Sequence, residues 1–107
     1  MAEQIRWEGK SGKQYEYWVY PINTTFKDEP GNYIYAKRNF AGKWQPVYIG
    51  QTSSLSQRLA SHEKEQSVTR RGGATHILAH ISVNAMARRD EEADLIRRYR
   101  PPFNETL

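Results

Sequence analysis

Apolar and polar positions alternate along the first part of the chain. Residues 5–8 read Ile-Arg-Trp-Glu, and residues 14–20 are rich in aromatic and β-branched side chains. A Lys-Ser-Gly-Lys turn separates the two stretches, so the pattern predicts a β-hairpin. Pro21 is expected to close the second strand because proline offers no backbone donor to a ladder. The polar stretch at 22–30 predicts an irregular connection.

A second pair of strands is predicted at 31–36 and 45–50. Tyr33 and Tyr35 are expected on one face of the first strand, with the residues that alternate with them on the other face. The stretch 37–44 contains Asn, Gly and cations and is predicted to be a loop. The proline near the start of the second strand indicates an entry or edge position.

A helix is predicted over residues 55–66. Ser54 and Gln57 have the spacing of a capping box at its start. Two leucines form its buried stripe, and Arg58 and His62 stand four apart, so they share a face. The helix therefore presents cationic and imidazole groups together.

The last third of the chain is predicted to hold a loop, a strand and a helix. The basic run 69–73 ends in two glycines and is predicted to be a loop, whereas 74–83 has the β-branched content of a strand. Asn84 is a suitable N-cap for a helix over 85–99, which the Pro-Pro pair after it ends. The order of elements predicts an α+β fold, with a small, mainly antiparallel sheet flanked by helices and an added N-terminal β-hairpin.

Composition limits the classes of protein that fit. The 107 residues suit a single domain, 1–107, and the absence of cysteine excludes disulfides and thiolate metal sites. No apolar run reaches the ~18 residues of a membrane span, and the first residues lack signal-peptide character, so we expect a cytoplasmic protein. The net charge is +4 with more arginine than lysine, which favours phosphate partners without proving them.

The final helix carries a carboxylate on its predicted apolar stripe. At 100° per residue, Glu92 projects from the stripe that Leu95 and Ile96 help to form. A buried charge must be paired, protonated or metal-bound. Two interpretations stay open at this point: Glu92 pairs with Arg88 or Arg89 one turn back, or it is a functional ligand.

The other titratable residues of this half have simpler interpretations. Asp90 and Asp94 are expected to face solvent, where Asp94 can pair with Arg98. His76 and His80 share a face of the predicted strand but lie about 13 Å apart, at ~3.3 Å per residue, so they cannot chelate one ion. Only a helical assignment would make them a zinc site.

Taken together, these residues resemble the GIY-YIG nuclease family. Its first half-motif is matched by Gly31-Asn32-Tyr33 and its second by Tyr48-Ile49-Gly50. The helix arginine of the family is matched by Arg58, and the histidine that some members add four residues later is matched by His62. Asn32 replaces the usual aliphatic residue.

The resemblance continues to residue 104 and covers about residues 30–104. The metal-binding glutamate of the family is matched by Glu92, which precedes a Leu-Ile pair, and the proline-aromatic-asparagine ending is matched by Pro102-Phe103-Asn104. This segment is similar to the amino-terminal nuclease domain of the bacterial excision-repair incision subunit. Ala36 stands where many members carry a lysine, with Lys37 one position on.

The resemblance implies a GIY-YIG-like fold and a metal-dependent endonuclease that hydrolyses phosphodiester bonds in DNA. In that case Tyr33 activates or positions the water, and Tyr48 and Arg58 hold the scissile phosphate. His62 orients Tyr33 or donates to the leaving group. Glu92 is the protein ligand to Mg²⁺ or Mn²⁺, a role that magnesium tolerates because it keeps waters and substrate oxygens as its other ligands.

The resemblance also implies contacts to the DNA phosphate backbone. Lys37, Arg70 and Arg71 would make nonspecific phosphate contacts, Gly50 would approach the substrate, and Asn104 would anchor the helix end near the site. Family members usually take their specificity from a fused domain. For this sequence we expect weak sequence preference, a branched or damaged substrate, a partner protein or a homodimer.

Two questions remain open from the sequence. The N-terminal hairpin, residues 1–29, lies outside the resemblance and would extend the sheet, cover its edge or dimerise. The alternative function is a non-catalytic nucleic-acid-binding or assembly module that keeps the fold, and a purely structural basic domain is the third possibility. The joint presence of Tyr33, Tyr48, Arg58 and Glu92 favours the enzyme.

Overall fold

A computed structural model describes residues 3–60 and 62–106, with side chains except those of residues 62–66 and 105–106. Its strands form one five-stranded sheet in the order β1-β2-β5-β3-β4, and every neighbouring pair is antiparallel. With the helices that pack on it, the sheet confirms the predicted α+β fold. Within the described residues, no helix is long and apolar enough to cross a membrane.

The N-terminal hairpin has the predicted boundaries to within a few residues. β1 spans Glu3–Glu8 and β2 spans Gln14–Pro21, with the turn between them. Of the three roles left open, the structure shows that the hairpin extends the sheet, because β2 pairs along β5. The hairpin thus covers the strand that would otherwise form an edge.

The second hairpin has longer strands and a shorter loop than predicted. β3 spans Gly31–Arg38 and β4 spans Trp44–Thr52, so the predicted loop at 37–44 shrinks to 39–43. The reason is a cross-strand pair: Arg38 lies opposite Trp44, with its guanidinium 4.5 Å from the indole centre. β4 is an edge strand, as its proline indicated.

The predicted helix over 55–66 is interrupted, which corrects the prediction. α1 spans Leu55–Leu59, and α2 spans His62–Gly72. The predicted cap at its start is confirmed, since the Ser54 side chain accepts from the Gln57 amide. No large apolar side chain occurs between Leu59 and Val68, so nothing fixes one continuous helix to the sheet through this stretch.

The basic run at 69–73 is helical up to Gly72 and is not the predicted loop. Val68 is fully buried and anchors the last turns of α2 on the core. The glycine signal marks the end of the helix: Gly73 has φ +70°, a left-handed conformation that favours glycine after a helix. Arg70 and Arg71 are exposed in the final turn, where cations suit the helix dipole.

The strand and the long helix that follow match the prediction. β5 spans His76–Ile81 and α3 spans Ala85–Tyr99, with the Asn84 side chain accepting from the Ala87 amide. A short helix that was not predicted, α4, begins at the second proline and spans Pro102–Thr106. The strand assignment removes the histidine zinc site that only a helix would have allowed.

The alternation predicted for β3 divides the core into two layers. Tyr33 and Tyr35 pack with the leucines of α1 and with Val68 on one face of the sheet. Ile34 and Ala36 pack on the other face with residues of the N-terminal hairpin and α3. We call these the α1 face and the α3 face.

The turn of the N-terminal hairpin is tied to α3 through Asp94. The carboxylate accepts from the Ser11 amide at 2.8 Å, the Ser11 hydroxyl at 2.6 Å and the Tyr15 hydroxyl at 2.8 Å. Asp94 is therefore buried, which corrects the prediction that it faces solvent and pairs with Arg98. Arg98 instead donates to Glu8 of β1.

Replacing Asp94 with alanine is expected to lower the free energy of unfolding at neutral pH by about 2–3 kcal/mol, because donors are left without their charged acceptor. The hydrogen bonds from Ser11 hold the pKa of Asp94 below its usual 3.8. Its contribution is therefore present above that value and is lost as the pH falls through the lower, folded-state pKa. Urea unfolding at pH 7 and at pH 3 measures both effects.

The matched control is Asp90→Ala, because Asp90 is exposed on the same helix. It should leave stability within about 0.5 kcal/mol of the parent, as surface substitutions usually do. Equal losses in the two variants at pH 7 would show that the bonds to Ser11 and Tyr15 do not hold the hairpin.

Candidate active site

The site is centred on the Tyr33 side chain, which lies on the α1 face of β3. Tyr33 is fully buried, and its hydroxyl makes no hydrogen bond with any described residue. Gly50 lies directly opposite on β4, where an added Cβ would come within 2.5 Å of the Tyr33 ring and hydroxyl. The glycine of the Tyr-Ile-Gly motif therefore gives Tyr33 the space that it occupies.

Tyr33 belongs to a cluster of three tyrosines. Its ring centre lies 6.1 Å from that of Tyr35 and 6.2 Å from that of Tyr48. Tyr35 and Tyr48 lie opposite each other on β3 and β4, with ring centres 6.5 Å apart. Tyr48 is half-buried, so this tyrosine forms the outer edge of the cluster.

The pKa of Tyr33 is shifted by its burial and by nearby titratable and charged side chains. Burial raises the pKa of the Tyr33 hydroxyl well above its usual 10, and Tyr48 raises this pKa further. Arg58 acts in the opposite direction, whereas Glu92 adds to the increase. The structure thus brings Tyr48, Arg58 and Glu92 within electrostatic range of Tyr33. A phenol with a raised pKa keeps its proton at neutral pH.

Arg58 and His62 lie at a break between helices. Arg58 is exposed in the last turn of α1, which presents its guanidinium to solvent beside the tyrosine cluster. His62 is the first residue of α2, so the two residues do not share the face of one helix as predicted. The prediction for the His62 side chain lies outside the described side chains.

Glu92 lies beside the buried stripe of α3 and is half-buried. The residues that α3 buries are Arg88, Glu91, Asp94 and Leu95. This corrects the expectation that Glu92 projects from the middle of an apolar stripe. The stripe is largely polar because partners from other elements satisfy it.

Polar contacts of Arg88 fix the start of α3, near Glu92, to β3, to Gln51 of β4 at 3.1 Å and to the connection before the helix. The Asn32 amide of β3 donates to the Arg88 carbonyl at 3.0 Å. The Arg88 guanidinium donates to the carbonyls of Ser82 and Val83, each at 2.9 Å. Because Arg88 precedes Glu92 by one turn, these bonds determine where the Glu92 carboxylate lies relative to β3.

A buried carboxylate beside Glu92 reinforces this placement. The Glu91 carboxylate accepts from the Tyr17 hydroxyl at 2.5 Å and contacts His80 Nε2 at 2.7 Å. Burial and Glu91 raise the pKa of Tyr17 well above its usual value. Tyr17, Asn32 and Glu91 were not predicted as α3 anchors, since Tyr17 and Asn32 lie 74 and 56 residues from their partners on α3.

The C-terminal segment is fixed to the Tyr-Ile-Gly strand. The Asn104 side chain accepts from the Ile49 amide and donates to the Ile49 carbonyl, both at 2.8 Å. This confirms the predicted anchoring of Asn104. Phe103 packs against the α1-face core beside it. Because Ile49 lies between Tyr48 and Gly50, the contact fixes both motif residues.

Asn104→Ala is expected to lower the free energy of unfolding by about 1–3 kcal/mol, because the backbone groups of Ile49 lose both partners at an edge strand. Amide hydrogen exchange at Ile49 should also become faster, because its amide loses the Asn104 acceptor. Asn39→Ala, in the exposed 39–43 loop, is the matched control because it removes hydrogen bonds within the loop only. Unchanged exchange at Ile49 in Asn104→Ala would contradict the anchoring role.

The cations that were predicted to bind phosphate lie on β3 and at the end of α2. Lys37 is on the α1 face of β3, four residues along from Tyr33, and approaches Gly73 at the end of α2. Arg70 and Arg71 are exposed on the same end of α2. These positions suit backbone contacts beyond the tyrosine cluster.

The donor set near Tyr33 fits one kind of metal ion. No group of three or more His, Asp or Glu side chains capable of holding an ion occurs among the residues that the structure describes. A single carboxylate, Glu92, within electrostatic range of the buried Tyr33 hydroxyl suits an ion that retains water, which is the usual coordination of Mg²⁺. A closed protein cage of the zinc type does not fit these residues.

Comparison with solved structures identifies the fold. The magnesium-bound GIY-YIG N-terminal endonuclease domain of UvrC from Thermotoga maritima superposes with a TM-score of 0.57 at 32% identity, covering 75% of this chain and 86% of that domain. An asparagine-to-alanine mutant of the same domain, bound to its catalytic divalent cation, gives a TM-score of 0.56 at 34% identity, with the same coverage. The chain therefore belongs to the GIY-YIG nuclease domain family.

The chain is also similar in sequence to a much longer protein, of which it matches only a short segment. It is 40% identical over 85 residues to UvrABC system protein C of Thermotoga maritima, a match that covers 75% of this chain. The chain spans only 14% of that protein's length. No family model matches the chain.

Proposed function

We propose that this chain is a metal-dependent endonuclease that hydrolyses phosphodiester bonds in DNA, with residues 30–104 as the catalytic unit. The observation that carries the proposal is the buried Tyr33 hydroxyl, which has no hydrogen-bond partner among the described residues and is within electrostatic range of Arg58 and Glu92. A buried polar group without a partner costs about 1–3 kcal/mol. A site for a substrate or its attacking water accounts for that cost.

The side chains divide the chemistry of hydrolysis among them. Arg58 binds the scissile phosphate and offsets the charge that develops in the transition state. The Tyr48 hydroxyl holds a phosphate oxygen at the outer edge of the cluster. Tyr33 retains its proton at neutral pH and positions the attacking water by hydrogen bonding. For His62 we propose orientation of Tyr33 or proton donation to the leaving group.

Glu92 is proposed to hold a divalent cation, Mg²⁺ or Mn²⁺. The related UvrC domain has been crystallised with magnesium as its catalytic cation, which supports the same ion here. When bound, the ion polarises a phosphoryl oxygen and stabilises the departing oxygen. The carboxylate supplies the negative charge that retains the ion beside Tyr33.

We propose that five further residues support substrate binding in different ways: Gly50, Lys37, Arg70, Arg71 and Asn104. The exposed cations contact the DNA backbone and make its affinity dependent on salt. Gly50 leaves room for Tyr33, and Asn104 keeps the Tyr-Ile-Gly strand in place. Backbone contacts of this kind carry no sequence information, so we propose that specificity depends on DNA structure or on a partner, which would be another protein or a second copy of the chain.

The test is incubation of the protein with supercoiled, linear and branched DNA in Mg²⁺, Mn²⁺ or EDTA. We expect metal-dependent conversion of supercoiled DNA to nicked circles, with no cleavage in EDTA. Intact DNA under every condition, with salt-sensitive binding retained, would instead favour a non-catalytic nucleic-acid-binding module on the same fold.

A further inference from the structure

A pocket of about 620 Å³ opens on the α1 face, beside the candidate active site. It lies between β2, β5 and the connection that follows β2. Trp18, Tyr20 and Phe26 line it with aromatic surface, and Lys27 lies at the same wall. Its volume falls in the ~300–1,000 Å³ range of small-molecule sites, enough for one nucleotide unit but not for a duplex.

The walls of this pocket are fixed by contacts within the chain. Phe26 packs edge-on against Tyr20 with ring centres 5.1 Å apart. The Leu55 amide donates to the Glu29 carbonyl at 2.8 Å, which ties the connection to the start of α1. The pocket is therefore formed before any ligand arrives.

The pocket lies in register with the catalytic tyrosine. Tyr33 of β3 is paired with Gly50 of β4 on one side and with Ala79 of β5 on the other. Ala79 is paired in turn with Trp18 of β2. With strands about 4.8 Å apart, the Trp18 backbone lies about 10 Å from that of Tyr33. This distance is about three nucleotides of rise along a DNA strand.

The lining favours a base over a phosphate. Trp18 is 40% exposed, an unusual exposure for the largest apolar side chain, and offers a flat surface for stacking. Glu16, whose carboxylate pairs with Arg6 at 3.4 Å, and Glu29 also line the pocket, together with Lys27. Carboxylates repel phosphate but accept hydrogen bonds from the exocyclic amino groups of bases.

We propose that this pocket receives a single unpaired nucleobase, stacked on Trp18, from the strand whose phosphate lies at Tyr33. The inference rests on the proposed nuclease function and names its substrate class: DNA with an unpaired or extruded base within about three nucleotides of the cut. A paired base cannot enter, because its faces are stacked and its edge is occupied. The glutamates favour adenine, cytosine or guanine, which carry exocyclic amino groups, over thymine.

The experiment compares two labelled duplexes, one fully paired and one with a single unpaired adenine, in EDTA so that no cleavage occurs. Fluorescence anisotropy measures the affinity of the parent, Trp18→Ala, Trp18→Phe and Val83→Ala, the last being an exposed apolar control outside the pocket. We expect Trp18→Ala to bind the unpaired-base DNA about tenfold more weakly and the paired DNA as well as before. Trp18→Phe should retain most of the difference, and Val83→Ala all of it.

Equal affinity of Trp18→Ala and the parent for the unpaired-base DNA would overturn the proposal. So would an equal loss on both duplexes, which would mean a contact to the backbone. Repeating the assay with Mg²⁺ separates this inference from the proposed function. Cleavage that is independent of Trp18 refutes the base pocket alone, whereas base-dependent binding without cleavage refutes the nuclease alone.

Discussion

Glu92→Gln is expected to lower the rate of metal-dependent DNA cleavage by about 10³-fold or more. The amide has the shape of the carboxylate but not the charge that would hold a divalent cation, and loss of the cation removes several kcal/mol of transition-state stabilisation. Binding of DNA in EDTA should stay at the parent level, since no phosphate contact is removed. Nicking of supercoiled plasmid, measured across Mg²⁺ concentrations, gives the result.

Asp90→Asn is the matched control for this substitution. Asp90 is an exposed carboxylate two residues earlier on α3, so it changes the net charge by the same amount as Glu92→Gln. We expect near-parent cleavage. The fold should survive both changes because the bonds of Glu91 and Asp94, which join α3 to the hairpin and β5, stay in place. Comparable loss in both variants would show that overall charge, and not a metal ligand, is responsible.

Tyr33→Phe is expected to separate activity from stability. Cleavage should fall about 10²–10³-fold, within the range for removal of a group that handles the attacking water. The free energy of unfolding should stay within about 0.5 kcal/mol of the parent or rise, because the lost hydroxyl is buried without a partner among the described residues. Cleavage assays and urea unfolding on the same preparation measure the two quantities.

Tyr35→Phe provides the comparison. Tyr35 is also buried on the α1 face, two residues along β3, but we assign it no chemical role. It should keep near-parent cleavage whatever its effect on stability. If the free energy of unfolding of Tyr33→Phe falls by as many kcal/mol as its activation free energy for cleavage rises, the hydroxyl serves the fold and not the reaction.

The local elements were predictable because short-range signals specify them. The hairpin at β1 and β2, the two faces of β3 and the caps at Ser54 and Asn84 follow from alternation and side-chain capping. The break after Leu59 was not predictable in the same way. Helical propensity continues through that stretch, and only the absence of an apolar anchor before Val68 shows that one helix cannot stay on the core.

The residues of the site and the anchoring by Asn104 were predicted, but the contacts that hold α3 in place were not. The motif residues were found through a resemblance, and the structure brings Tyr48, Arg58 and Glu92 into electrostatic range of Tyr33. The buried stripe of α3 was wrongly predicted to be apolar, because hydrophobic periodicity assigns charged residues to the exposed face of a helix. The Asp94 partners lie more than 70 residues earlier in the chain, in a turn that no local pattern connects to α3.

The most direct measurement is the anomalous diffraction of a crystal soaked in Mn²⁺. The account predicts one strong peak beside the Glu92 carboxylate, on the side of the Tyr33 hydroxyl, and no such peak in Glu92→Gln. A peak elsewhere, or the same peak in the variant, would contradict the assignment of Glu92 as the metal ligand and with it the proposed site.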